Sequence, residues 1–144
     1  MTKRCKDCDT EGVTTNRPAP HPGPRCTTHH RAVRKARKAR AHERRIDAVY
    51  GITTEQYEMI YQYQGGRCAI CQKARGMRRR LAVDHDHDCI KGHPPEKGCQ
   101  HCVRGLLCQQ CNWVVIGRYS PEALQRAIDY LSDPPARRVI GRSK

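Results

Sequence analysis

Apolar residues along this chain come in short bursts, and the bursts predict a small α+β fold with few elements. Leu81-Ala82-Val83 and Val103 to Leu107 read as two short strands, rich in Val and Leu and set between polar stretches. Residues 53–63 read as a helix. Thr53 and Gln56 stand at capping-box spacing, and Tyr57, Ile60, Tyr61 and Tyr63 offer packing surface. Gly65-Gly66 then breaks it. Cys108 to Gly117 reads as another helix. A last one is expected over 121–131, with Ser120 as N-cap and Pro121 in the first turn. Pro134-Pro135 should end it and leave a loose basic tail over 136–144.

Upstream the pattern changes. Residues 1–30 hold Pro18, Pro20, Pro22 and Pro24, so their middle is expected as an extended loop. Residues 31–49 interleave alanine with Arg31, Arg34, Lys35, Arg37, Lys38, Arg40, Arg44 and Arg45, which predicts one long basic helix with a weak apolar face. These boundaries define four segments: 1–30, a basic arm over 31–49, a central body over 50–133 and a tail over 134–144.

Composition narrows what can hold such a chain together. There is no Phe and one Trp in 144 residues, and the mean hydropathy is −0.87, so a large oily core is excluded. Ten cysteines are the available staples. The segment from Met1 to Cys8 is polar rather than signal-like, and no run approaches the ~18 apolar residues of a membrane span. A reducing compartment is therefore expected, where clustered cysteines hold zinc more often than they form disulfides. The net charge of +14 points to a polyanionic partner, with nucleic acid first. The density of cations makes 31–49 a candidate DNA-contacting arm.

Three cysteine groups have metal-ligand spacing. Cys68-x2-Cys71 with Cys108-x2-Cys111 presents four thiolates, the usual tetrahedral structural zinc site, which leaves no position open for catalysis. Cys5-x2-Cys8 with Cys26 and either His29 or His30 reads as a separate N-terminal zinc knuckle. Cys89, His93, Cys99 and Cys102 form a candidate third zinc site, in a loop that otherwise lacks a core.

Between the halves of the first site runs Val83-Asp84-His85-Asp86-His87-Asp88, and Asn112 follows Cys111. Strand alternation would put Asp84 and Asp86 on one face, His85 and His87 on the other. This is the material of phosphodiester hydrolysis. His85 suits a general base, since neutral imidazole titrates near working pH. Asp84 and Asn112 are hard oxygen donors suited to Mg²⁺. A zinc beside Asn112 would fix its position.

These stretches, together with Tyr50-Gly51-Ile52-Thr53, Gly65-Gly66-x-Cys68-x-Ile70-Cys71 and Val103-Arg104-Gly105-Leu106-Leu107-Cys108, resemble the phage recombination endonuclease VII family, a branch of the HNH or His-Me finger nucleases. The resemblance covers roughly residues 50–131 and leaves 1–49 and the longer loop 88–102 outside its core. It implies a ββα-metal core clamping one Mg²⁺ or Mn²⁺, with Asp84 and Asn112 as ligands. It implies His85 as base, His87 on the phosphate or transition state, and Cys68, Cys71, Cys108 and Cys111 on zinc. It further implies a homodimeric DNA resolvase for four-way junctions, acting in the host cytoplasm. A C-terminal substrate-binding domain, present in some relatives, is expected to be missing. Two other readings compete. One is an HNH nicking enzyme on linear duplex. The other is a zinc-finger DNA-binding protein without catalysis, which gives no reason for Asp84, His85, His87 and Asn112 to coexist.

Overall fold

A computed structural model describes residues 3–89, 91–94 and 96–141. The chain divides into two units, residues 1–54 and 55–144. Among the described residues no helix is long and apolar enough to cross a membrane.

The first unit holds α1 (Lys6–Thr10) and α2 (Thr27–Tyr50). The basic helix expected over 31–49 is present and longer. It starts directly after Cys26 and ends at Gly51, whose left-handed backbone (φ 63°) a residue with a side chain would adopt only at a cost. The knuckle and the arm are therefore continuous. The proline-rich stretch forms only isolated bridges, Arg4 with Pro18 and His21 with Arg25, as expected of an extended loop.

In the second unit α3 (Thr54–Tyr63) opens directly after Thr53, where the capping-box spacing places the N-cap. Gly65 and Gly66 close it with left-handed backbones, and their N–H groups donate to the Gln62 and Tyr61 carbonyls. β1 (Ala82–His85) and β2 (Val103–Leu107) pair antiparallel. β1 lies one residue downstream of the expected 81–83 start and runs through Asp84 and His85, because the ladder partners are Leu107 to Val103. Tyr57, Leu81, Val83, Leu106 and Leu107 are buried with Cys68, Cys102 and Cys111. The Tyr57 hydroxyl donates to the Leu81 carbonyl at 2.9 Å, which ties α3 to the start of the hairpin.

The helix expected over 108–117 is corrected in type. Residues Cys111–Ile116 form a π-helix, a form that occurs mostly as single turns at functional sites. α4 (Pro121–Ser132) begins as expected, with the Ser120 hydroxyl accepting from the Ala123 N–H. The tail expected to be loose over 136–144 instead starts with a short helix, α5 (Pro135–Val139). Pro135 ends α4 but fits the first position of a new helix, where its missing N–H costs nothing. Residues 142–144 of that tail lie outside the described residues.

Candidate active site and metal centres

The hairpin register decides what meets Asp84. Asp84 pairs with Gly105 and His85 with Val103, so Arg104 is the extra residue of a β-bulge. A bulge turns a side chain out of the strand alternation. Here it brings the Arg104 guanidinium onto Asp84, with Nε donating to Oδ2 at 2.8 Å and Nη2 to Oδ1 at 3.0 Å. The paired carboxylate raises the Arg104 pKa above its ordinary value. Asp84 is 8% exposed, while the Arg104 side chain remains 46% exposed.

Gln64 holds the outer edge of β2. Its side-chain amide accepts from the Leu106 N–H at 2.8 Å and donates to the Leu106 carbonyl at 2.9 Å, as a neighbouring strand would. Gly105 permits this approach, since a Cβ there would stand 3.0 Å from the Gln64 amide oxygen.

A cleft of about 450 Å³ opens beside the hairpin. Asp84, Asp86, His87, Asp88 and Arg104 line it, with Ile70 and Leu107 from beside the cysteine pairs. Its walls do not include His85 or Asn112. His85 is buried, and its ring stacks on His87 with centroids 4.6 Å apart. The expected alternation over 84–88 holds only in part. The strand ends at His85, the Asp86 N–H donates to the Cys102 carbonyl, and the Asp88 N–H donates to the Asp86 carboxylate. Asn112 is half-buried at the start of the π-helix, its N–H donating to the Cys108 carbonyl.

The structure gathers all three cysteine groups. In each, the four candidate ligand atoms lie within 4.8 Å of one another. Cys68, Cys71, Cys108 and Cys111 form the first, with Cys71 and Cys108 Sγ 3.9 Å apart. That is far beyond a disulfide bond at about 2.05 Å and close to the roughly 3.8 Å tetrahedral edge implied by Zn–S distances near 2.3 Å. Backbone N–H groups of Ala74 and Lys73 hold the Cys71 thiol down at about 6. Burial pushes Cys111 up to about 12. The backbone donors favour the thiolate of Cys71, while at Cys111 burial opposes the loss of the proton that metal binding requires. Cys89, His93 and Cys99, half-buried, and the buried Cys102 form a cluster in the hairpin loop, with His93 Nε2 3.3 Å from Cys102 Sγ. Cys5, Cys8, Cys26 and His29 form the third. Of the two histidines left open by the sequence, His29 lies with the three sulfurs, while His30 stacks on His21 at 4.2 Å. These clusters could hold structural zinc.

Arg104 and Gln64 are the site residues that sequence reasoning left unassigned. Arg104 sits in the strand motif that runs from Val103 into Cys108, but its partner depends on the bulge. No pattern in the sequence marks Gln64 as a surrogate strand. The eight cations of α2 are all exposed, as a phosphate-contacting surface requires.

The sequence model of recombination endonuclease VII matches residues 43–133. Two similar proteins are the Gene 59 protein of Mycobacterium phage D29, 52% identical, and the Gene 59 protein of Mycobacterium phage L5, 50% identical. Each alignment covers 96% of this chain and 79% of the relative. No solved structure matches. With its hairpin, acidic cleft and two of its three cysteine clusters inside the matched span, the chain belongs to the recombination endonuclease VII family of nucleases.

Proposed function

We propose that this nuclease is a divalent-metal-dependent DNA endonuclease of the HNH type with a ββα-metal core, cutting branched DNA such as four-way junctions. The observation that carries the reading is the cleft in which Asp84 and His87 meet, next to a four-cysteine cluster. The order β1, β2, π-helix supports the ββα description.

The donor set fits Mg²⁺ or Mn²⁺. Asp84, Asp86 and Asp88 offer hard carboxylate oxygens on one wall, and the Asn112 side chain is a neutral oxygen donor. We assign Asp84 and Asn112 as the ligands. A bound divalent ion would stabilise charge on the phosphate and on the leaving oxygen. His85 accepts the proton of the attacking water. The His87 ring, stacked on His85, keeps that imidazole oriented and faces the cleft, where it donates to a phosphate oxygen. Arg104, half-exposed at the same wall, draws the DNA backbone in. Cys68, Cys71, Cys108 and Cys111 would hold a zinc that orders the loops carrying this machinery, and Cys89, His93, Cys99 and Cys102 would hold one that orders the hairpin loop.

Dimerisation is supported by α4. Ile128 and Leu131, 57% and 73% exposed, stand three residues apart on one side of the helix, an apolar stripe that a second copy would cover. The gathering of all ten cysteines into clusters with metal-ligand geometry supports action in a reducing host cytoplasm.

The test is cleavage of a labelled four-way junction and a matched linear duplex, with Mg²⁺ and with chelator, for the native protein and His85→Ala. Mg²⁺-dependent cutting of the junction alone, lost in the variant, is expected. Equal cutting of both substrates would move the reading to a duplex nicking enzyme. Binding without cutting would refute the catalytic assignment.

A further inference from the structure

Among its described residues the N-terminal unit buries little apolar material, Ile46 and Ile52 at the far end of α2 apart. Its proline-rich part is built around Cys5, Cys8 and Cys26, at most 3% exposed, with only half-buried Val13 and Ala19 packed against them. Burying that little apolar surface contributes a few kcal/mol at about 25 cal/mol per Å². Ordering some twenty residues costs several times more, at about 1–2 kcal/mol each. Something other than hydrophobic burial must close this unit.

The distances identify it. His29 Nδ1 stands 3.3 Å from Cys5 Sγ, 3.4 Å from Cys8 Sγ and 3.4 Å from Cys26 Sγ, and Cys8 and Cys26 Sγ are 3.9 Å apart. A tetrahedral zinc would set edges of about 3.5 Å for S–N and 3.8 Å for S–S. His29 Nε2 lies 2.9 Å from a Glu11 carboxylate oxygen, the arrangement that orients nearly every metal-ligating imidazole. None of these residues lies within the span matched by the nuclease family, 43–133.

Two of the ligands belong to the basic helix. Cys26 is the N-cap residue of α2 and makes no side-chain cap bond, and its carbonyl accepts the His30 N–H at 2.9 Å. His29 sits in the first turn. The helix needs such help. Of its 24 residues only Ile46 is buried, and its first turn has no acidic residue. The eight cations from Arg31 to Arg45 repeat at i+3 and i+4, as in Arg31, Arg34 and Lys38 or Arg37, Arg40 and Arg44. Each such like-charge pair costs about 0.2–0.5 kcal/mol. Three thiolates on a dication carry a net negative charge, which is favourable at a helix N-terminus, and they supply the costly first turn ready-made.

We propose that Cys5, Cys8, Cys26 and His29 bind one zinc ion that nucleates and caps α2, so that the grip of this helix on a nucleic-acid backbone depends on metal. The polyanion part rests on the reading of the chain as a DNA nuclease. The zinc and the helix do not.

The experiment uses the full chain and the Cys5→Ser/Cys8→Ser variant, which leaves the sequence of α2 untouched. Zinc content, ellipticity at 222 nm and the salt dependence of duplex binding without Mg²⁺ are measured. The variant is expected to hold one zinc fewer and to lose helical signal equivalent to most of α2. Its log K against log salt slope should be shallower by several units, at about 0.9 for each phosphate that the helix no longer neutralises. Native zinc content in the variant would overturn the site, and lost zinc with unchanged ellipticity would overturn the capping. Glu11→Gln guards against a variant that merely misfolds. It should weaken zinc retention against a competing chelator by about 10–100-fold, and unchanged retention would count against the site. Zinc and ellipticity are read without DNA, so a native chain that cuts nothing would refute the nuclease reading alone.

Discussion

Arg104→Gln separates the structural from the catalytic demands on Asp84. In the native chain both carboxylate oxygens are engaged by the guanidinium, at 2.8 and 3.0 Å. Removing the partner of a fully buried charge costs about 3–5 kcal/mol, while exposed pairs are worth at most about 1 kcal/mol. Asp84 is buried but the Arg104 side chain is 46% exposed, so solvent screens part of the interaction. We expect a loss of about 1–2 kcal/mol, or roughly 4–16 °C in melting temperature for a unit of this size. If Asp84 is a metal ligand, Arg104 and the cation compete for it. Mg²⁺ should then stabilise the variant more than the native protein. Saturation to a hundredfold over Kd is worth about 2.7 kcal/mol, enough to cancel the deficit. The assay is thermal unfolding of zinc-loaded protein across a Mg²⁺ titration. Equal Mg²⁺ shifts in the two proteins would refute the competition. An unchanged melting temperature without Mg²⁺ would show that the ion pair contributes nothing to the fold.

Cys68→Ser should remove one zinc and the cooperative unfolding of the second unit, because a site worth roughly 10–16 kcal/mol in isolated peptides loses a fully buried ligand; retained zinc with a normal melting curve would refute this. Tyr57→Phe should cost about 1 kcal/mol in denaturant unfolding, the usual value of one net hydrogen bond, here to the Leu81 carbonyl. Burial raises the Tyr57 hydroxyl from 10.0 to about 12, so its contribution is complete below pH 10 and is lost as pH rises towards 12. The variant should therefore be less sensitive to alkaline unfolding, and identical alkaline profiles would count against the assignment.

Local chemistry determined much of this protein before any folding. Ser120-Pro121 starts a helix because a hydroxyl and a pre-set φ suit its first turn, and Gly65-Gly66 ends one because two left-handed residues cannot continue it. Cysteine spacing marked the three clusters that could hold zinc, since a C-x2-C turn aims two sulfurs at one point whatever surrounds it. Tertiary structure decided what depends on register and on distant partners. The shift of β1 into Asp84 and His85, and the bulge that sets Arg104 on Asp84, follow from pairing with a strand some twenty residues away. The choice of His29 over His30 follows from helix phase, since α2 begins at Thr27 and turns only one of the two rings towards the sulfurs. The Gln64 amide standing in for a strand also arises from such a longer-range contact. Single-residue propensities carry no record of such partners, because the free energy that selects them exists only once the hairpin has closed.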